Sequence, residues 1–455
     1  VSDDRAGLSA EDREALFAHV SRRRASTPAT RVGPVSIAAP EGATDFTTLP
    51  GFKELQTQST FASMIGLENP FFRTHERRAG AETLIGNRTL SNFSSYDYLG
   101  LNGHPEVQEA AKAAIDRYGT SASASRLVAG ERPIHRELEQ ALADLYRTES
   151  CVVMVSGHAT NVGVIGQLVG PKDLIIHDEL IHNSIVVGAQ LSGAQRRSFA
   201  HNDLDALEKL LIAGRRQYHR VLIVAEGLYS MDGDWPDLAR LVDLKQRFGA
   251  WLMMDEAHSL GVLGKTGRGI WEETGVDPRE VDIWMGTLSK TLSGAGGYIA
   301  GSAALVEYIK TSVGAFVFSV GLAPPIAAAS KTALEIMLRE PERVTRLHAN
   351  GKLFVEAAKR HGLDTGTAAG TAIAPVILGE SLKAAMLSNR LSERGFNVMP
   401  ILHPAVPERL ARLRYFITSE HTPEQIEEAV RVTAEEVAGL TGTTEVLQNL
   451  AKSFG

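Results

Sequence analysis

From about residue 100 onward, short apolar runs alternate with longer stretches whose apolar residues recur at helical spacing. The runs Cys151–Val155, Leu174–His177, Val221–Ala225, Trp251–Met254 and Ile283–Met285 are too short for helices. They lack the apolar–polar alternation of a half-exposed strand, so each reads as a strand buried on both faces. Buried strands separated by helices predict an α/β fold: a mostly parallel central sheet with helices on both faces. Ahead of this region "TLIGNRTLSNF" reads as a hairpin, and Pro105 stands where a helix begins. Beyond about residue 335, long helical stretches with "APVIL" and "LRYFI" suggest a smaller α+β domain. At the other end, residues 8–24 offer Ser9 as an N-cap and Leu16, Phe17 and Val20 on one face, a short helix. Residues 25–49 carry Pro, Gly, Ser, Thr and Ala without periodicity, as tethers do. The predicted organisation is an N-terminal helix and linker (1–50), an N-terminal segment (51–100), a large domain (101–335) and a small C-terminal domain (336–455).

Parallel sheets place their chemistry at the carboxyl ends of strands, so the residues that follow each run carry the functional reading. "SGHATNVGVIG" opens a helix with small residues, either a plain tight turn or a phosphate cradle of free N–H groups. "HDELIHNSIVVGA" contributes His177, read as structural, and His182, which matters if a flat ring lies nearby. "DEAHSLGVLGKTGRG" sets Asp255 and, three positions on, His258 behind a strand. A buried carboxylate needs a partner, and a protonated heterocyclic nitrogen supplies one. At roughly 3.5 Å and an effective dielectric of roughly 20 their attraction is on the order of 5 kcal/mol before desolvation. Finally, "MGTLSKTLSGAGGY" holds Lys290 among small and hydroxyl residues, either a surface charge in a Gly-rich loop or a nucleophile. A phosphate cradle, a ring stacker, an acid for a pyridinium and a lysine are together what pyridoxal phosphate requires.

Composition narrows the partners. The 455 residues are 44% hydrophobic and 22% charged, enough for two or three cores in an ordinary globular protein. A net charge of -7, from 47 basic and 54 acidic residues, disfavours nucleic acid or an anionic membrane surface as the main partner. Cys151 is the single cysteine, which excludes an internal disulfide framework or a cysteine zinc cage and fits a reducing compartment, hence an expected cytoplasmic location. No apolar run approaches the roughly 18 residues of a membrane span, and the first residues carry no secretion signal.

Several stretches in order, "YDYLGL", "YGTSASASRLVAG", "SGHATN", "HDELIHNS", "EGLYSMDGD", "DEAHSLGVLGKTGRG", "GTLSK", "FVFSVGLAPP" and "ARLRYFITSEHT", resemble the α-oxoamine synthases, fold-type-I pyridoxal-phosphate enzymes, across about residues 55–440. The resemblance implies a seven-stranded-type central sheet and a homodimer with shared active sites. It implies that Lys290 carries the cofactor as a Schiff base, Asp255 pairs with the pyridine nitrogen, His258 meets the phenolic oxygen with Ser230 close by, and His182 stacks on the ring. Thr287, with the backbone at Gly157 and His158, would hold the phosphate; Ser319 would reach the partner's phosphate; Arg414 would take the amino acid's carboxylate, with Ser125 and Tyr96 beside the substrate and Arg412 a surface or structural charge. The implied reaction is a decarboxylative condensation of glycine, alanine or serine with an acyl thioester, giving an α-aminoketone, carbon dioxide and free thiol. Ser125 leaves space for more than glycine, and Leu402 replaces an arginine of the biotin-pathway members, which argues against a pimeloyl chain. The "YGTSASAS" and "HPAVPERLARLRYF" variants resemble polyketide and other secondary-pathway members, so acyl-carrier-protein delivery stands beside acyl-CoA. Transamination, C–S lysis, or a catalytically silent partner subunit remain the alternatives.

Overall fold

The computed structural model describes residues 39–440 and Gly442. The helix expected over 8–24 and the tether's first part therefore lie outside the described residues. The chain divides into two units, residues 1–61 and 62–455. In the first, Asp45 caps a short 3₁₀ turn, Phe46–Thr48, accepting the Thr47 N–H at 2.8 Å. The exposed helix Pro50–Met64 starts in this unit.

The second unit contains every strand among the described residues. β1 (Glu82–Ile85) and β2 (Arg88–Asn92) form the expected hairpin. β3 (Ser150–Met154), β4 (Leu174–Asp178), β5 (Gln195–Phe199), β6 (Val221–Glu226), β7 (Trp251–Asp255), β8 (Ile283–Thr287) and β9 (Gly297–Gly301) make one seven-stranded sheet, ordered β3-β9-β8-β7-β6-β4-β5. All its pairings are parallel except those of β9 with β3 and β8. β10 (Ile373–Ile377), β12 (Met399–Ile401) and β13 (Arg412–Phe416) form an antiparallel sheet with β13 central, while β11 (Phe396–Asn397) adds to β2.

The five apolar runs became β3, β4, β6, β7 and β8, and their near-complete burial explains why they show no alternation. Two strands of the same sheet were not anticipated. β5 is an edge strand with two exposed arginine-flanking positions and little apolar content. β9 is fully buried, yet glycine bounds it at both ends and it follows a Gly-rich turn. Helices cover both sides; the one at Pro105–Tyr118 begins with proline as expected, and Pro324–Arg339 packs on it.

Candidate active site

At the carboxyl end of β3, Ser156 caps the helix Gly157–Leu168 by accepting the Ala159 N–H at 3.3 Å. The first-turn N–H groups of such a helix have no intrahelical acceptor and present a positive dipole end. Thr287, the last residue of β8, lies against this turn. A Cβ on Gly157 would stand 2.9 Å from Thr287 Oγ1, so only glycine lets the helix start approach that hydroxyl. Thr287 Oγ1 donates to the Gly296 carbonyl at 2.8 Å and lies 2.9 Å from Ser289 Oγ. Ser156 and Ser289, neither singled out from the sequence, thus join Gly157, His158 and Thr287 in one polar cradle.

This cradle is one wall of a cavity of ≈ 450 Å³ that also contains Tyr96, His182, Ser230, Met231, His258, Lys290 and Arg414. A smaller recess of ≈ 70 Å³ shares Lys290, His182 and His258 and reaches down to Asp255, Glu226 and Asn161. A larger cavity, ≈ 880 Å³, lies at the amino-terminal ends of the strands, around Asp173, Arg220 and Trp251, and contains none of these residues.

Lys290 follows β8 by three residues. Burial lowers its ammonium to about 8, against the raising influence of Asp255 and Glu226. Its Nζ sits 5.8 Å from the centre of the Tyr96 ring. Asp255 ends β7 and is buried; Oδ1 accepts the Ala257 N–H at 2.9 Å and Oδ2 accepts Asn161 Nδ2 at 2.9 Å. His258, also buried, meets the Tyr98 hydroxyl through Nδ1 at 2.7 Å, which leaves Nε2 free for another partner. Burial, with the charges of Lys290 and Arg414, holds His258 well below the ordinary histidine range, so the ring is neutral.

His182 caps the helix Asn183–Ser192, its Nδ1 2.7 Å from Ser184 Oγ, and its backbone N–H donates to Glu226 Oε1 at 2.7 Å. These contacts fix the imidazole over the recess. Burial lowers its proton affinity, and the same cause, with Asp255 beside it, raises the Glu226 carboxyl well above its usual range. Burial thus favours the protonated form of Glu226. Ser230 lies in the cavity wall as expected, while His177 faces the core and binds its neighbour's carbonyl.

Arg414, on β13, projects into the cavity. Its NH1 donates to the Ser230 carbonyl at 3.1 Å and lies 3.4 Å from Met231 Sδ, and its guanidinium covers Phe416 at 4.5 Å. Its buried Nε has no hydrogen-bond partner. By contrast Arg412, two residues back on the same strand face, is buried and paired with Asp232 at 2.7 Å; it is structural and not a surface charge. Ser125 and Ser319 do not line the cavity of their own chain. Ser125 caps the turn Arg126–Gly130, its buried hydroxyl unpaired, and the segment beyond Ser319 joins that region through Gly321 N–H to the Ala124 carbonyl at 2.9 Å.

These groups fit pyridoxal phosphate: donors for a phosphate where a Cβ would intrude, a buried carboxylate for a ring nitrogen, and a lysine with lowered proton affinity. Asn161, Glu226 and Tyr98 were missed because each acts on another residue. Asn161 alone left a signal, lying one helical turn after His158 in "SGHATN".

Residues 88–432 match the aminotransferase class I and II family. The 8-amino-7-oxononanoate synthase of Symbiobacterium thermophilum is 42% identical over 348 residues, 76% of this chain and 88% of the relative. Among solved structures, the serine palmitoyltransferase of Sphingomonas wittichii superposes with a TM-score of 0.82 at 30% identity, covering 86% of this chain and 98% of its own. A variant of the S. paucimobilis serine palmitoyltransferase with a bound PLP–myriocin aldimine gives the same TM-score and identity, covering 86% of this chain and all of its own.

Proposed function

The chain belongs to the aminotransferase class I and II family and, within it, to the α-oxoamine synthases; from this premise we propose that it condenses a small amino acid with an acyl thioester, releasing carbon dioxide and thiol and yielding an α-aminoketone. The observation that carries the reading is Arg414: a half-buried cation on the cavity wall with a buried, unpartnered Nε and, among the described residues, no carboxylate partner. A site built for an amino acid's carboxylate leaves such a donor open.

Pyridoxal phosphate, when bound, supplies a protonated ring that accepts the electron pair released at the substrate's α-carbon. Gly157, His158, Thr287 and Ser289 would hold its phosphate, Asp255 would keep the proton on its ring nitrogen, and His258 Nε2 would meet its phenolic oxygen. Lys290 would hold it covalently and would serve as the base, a neutral amine able to take the α-proton and return it. The α-carbon forms a bond to the thioester carbonyl carbon, the C–S bond breaks, and the sulfur leaves as a thiolate that takes a proton from solvent. The carboxylate held by Arg414 departs as carbon dioxide, and the α-carbon it leaves is protonated by Lys290. His182 would hydrogen-bond the thioester or keto oxygen, and Tyr96 and Ser230, which line the same cavity, would complete the wall around the substrate.

A homodimer with shared sites is part of the same reading. Leu127, Val128, Phe318 and Val320 are exposed apolar side chains flanking Ser125 and Ser319, and a second copy over that face would bury them while delivering both serines to its own neighbour's cavity. Leu402, half-buried after β12, brings no charge for a terminal carboxylate, which favours an acyl group without one, delivered on carrier protein or CoA. No described helix is long and apolar enough to cross a membrane, and buried, unpaired Cys151 supports a reducing, cytoplasmic setting.

The deciding experiment incubates the holoenzyme with glycine, alanine or serine against a panel of acyl-CoA and acyl-carrier-protein thioesters. Thiol and carbon dioxide released in equal amounts are expected. Keto-acid exchange without thiol release would overturn the reading in favour of transamination, and failure to take up the cofactor would mark a silent subunit.

A further inference from the structure

Behind the cavity wall lies a charged cluster that the proposed chemistry does not use. His201, in the turn after β5, points Nδ1 at Asp178 Oδ1 at 2.9 Å and Nε2 at both carboxylate oxygens of Asp234 at 3.2 Å. Asp178 ends β4 and is fully buried; its oxygens also accept the backbone N–H groups of Leu180 and Asn202, each at 2.8 Å. The imidazole meets the Tyr229 ring edge-on at 4.5 Å. Asp234 closes the loop that starts at Tyr229, its carbonyl accepting the Tyr229 N–H at 2.8 Å, while the Gly233 N–H reaches back to the Tyr229 carbonyl at 2.9 Å. At Gly233, φ is +76° and a Cβ would stand 2.3 Å from the Ile373 carbonyl, so this tight loop seats against β10 only as glycine.

The other side of the same loop is what holds the two arginines of β13. The Ser230 carbonyl and Met231 Sδ fix Arg414, and the Met231 carbonyl at 3.0 Å and the Asp232 carboxylate fix Arg412. His201 is thus bonded to both ends of a chain of contacts: to Asp178, four residues before His182, and to Asp234, four residues after Ser230. Two flanking carboxylates demand a cation between them. Burial works against that charge, but the hydrogen bonds that His201 donates to Asp178 and Asp234 overcome it and raise His201 to about 10.

We propose that His201 is a positioning residue for the substrate carboxylate: as an imidazolium clipped between Asp178 and Asp234 it locks the loop Tyr229–Asp234, and through that loop's backbone it sets where Arg414 stands. The inference rests on the assignment of Arg414 to the amino acid's carboxylate. His201 touches neither substrate nor cofactor, so its removal acts on amino-acid binding and leaves the lysine, the acid and the phosphate cradle in place.

The test compares holoenzymes carrying His201→Gln, Asp234→Asn, both together, and Arg414→Gln. Dissociation constants for glycine, L-alanine and L-serine are read from the change in cofactor absorbance, alongside kcat, KM for each substrate and cofactor content. Both single variants at the cluster should raise the dissociation constant of whichever amino acid binds by roughly tenfold, with kcat within about twofold, thioester KM unchanged and full cofactor content. The double variant should be no worse than His201→Gln, since the two residues act as one unit. Unchanged amino-acid affinity in both single variants, with Arg414→Gln weakened, overturns the clip alone. Arg414→Gln binding as the unaltered protein does sinks the carboxylate assignment itself. If kcat, cofactor content and affinity all fall together, or neither single variant folds, the cluster serves folding and the proposal is wrong.

Discussion

Asn161 donates its amide to Asp255 Oδ2 at 2.9 Å and also reaches Ser184 Oγ at 3.0 Å, tying the acid of β7 to the helix that opens the phosphate cradle and to the helix that His182 caps. One side chain therefore registers three parts of the site. Replacing Asn161 with alanine removes one of the two hydrogen bonds that orient the carboxylate. Hydrogen bonds to charged groups contribute about 1.5–3 kcal/mol, so cofactor affinity should fall by roughly 10- to 100-fold. A fluorescence titration of the apoenzyme with pyridoxal phosphate measures this; affinity within about twofold would show that Asp255 is held without Asn161.

Lys290 should titrate far below a surface lysine. Burial brings it to about 8 in the cofactor-free protein, against about 10.4 for an unperturbed lysine. Timed modification of the apoenzyme by an amine-reactive reagent, read by mass spectrometry of the Lys290 peptide, should rise with a midpoint near that value. A midpoint near that of ordinary lysines would mean the cavity is wetter than its geometry implies. Lys290→Ala should lower thiol release by at least about 1000-fold, because among the described residues no other amine lines the cavity to replace the base.

Gly157 is a separate check on the phosphate cradle. An alanine there puts a methyl 2.9 Å from Thr287 Oγ1 and 3.2 Å from its Cβ. The helix start or Thr287 must shift, and overpacking of this kind costs about 1–3 kcal/mol. Affinity for pyridoxal phosphate should drop about tenfold or more, whereas affinity for the unphosphorylated aldehyde should change little. Equal losses for both ligands would move the defect away from the phosphate.

The His201 cluster also predicts a pH dependence of stability. A histidine raised to about 10 in the folded chain, against about 6.5 unfolded, binds its proton more tightly when folded. Its contribution is complete below about pH 6.5 and is lost as pH rises through about 10. Denaturant midpoints of the holoenzyme should therefore decline across that window, and His201→Gln should flatten the decline. An identical slope in the variant would show that other groups govern it.

Much of the fold and of the site is legible in the sequence. Five buried strands showed as unbroken apolar runs because a parallel sheet covered on both faces tolerates no polar alternation. Asp255, His258 and Lys290 showed because each follows such a run, where strand ends open into a cavity. β5 and β9 stayed hidden: one is a polar edge strand whose only partner among the described residues is β4, the other a glycine-bounded strand that turns antiparallel. Neither has a local pattern that distinguishes it from a loop.

The linear order of residues determined the fold class, the strand-end chemistry and the family, since these rest on hydrophobic periodicity and on short stretches whose residues act together. Only the tertiary structure decided which groups serve the reactive ones. It supplied the physical basis for a division of roles that the resemblance implied: Arg414 keeps an unpartnered Nε, whereas Arg412, on the same strand face, pairs with Asp232. It also raised the Glu226 carboxyl, kept the His258 ring neutral and made His201 a charged clip. Proton affinity and pairing are set by burial and by neighbours that arrive from distant parts of the chain, which no local stretch encodes.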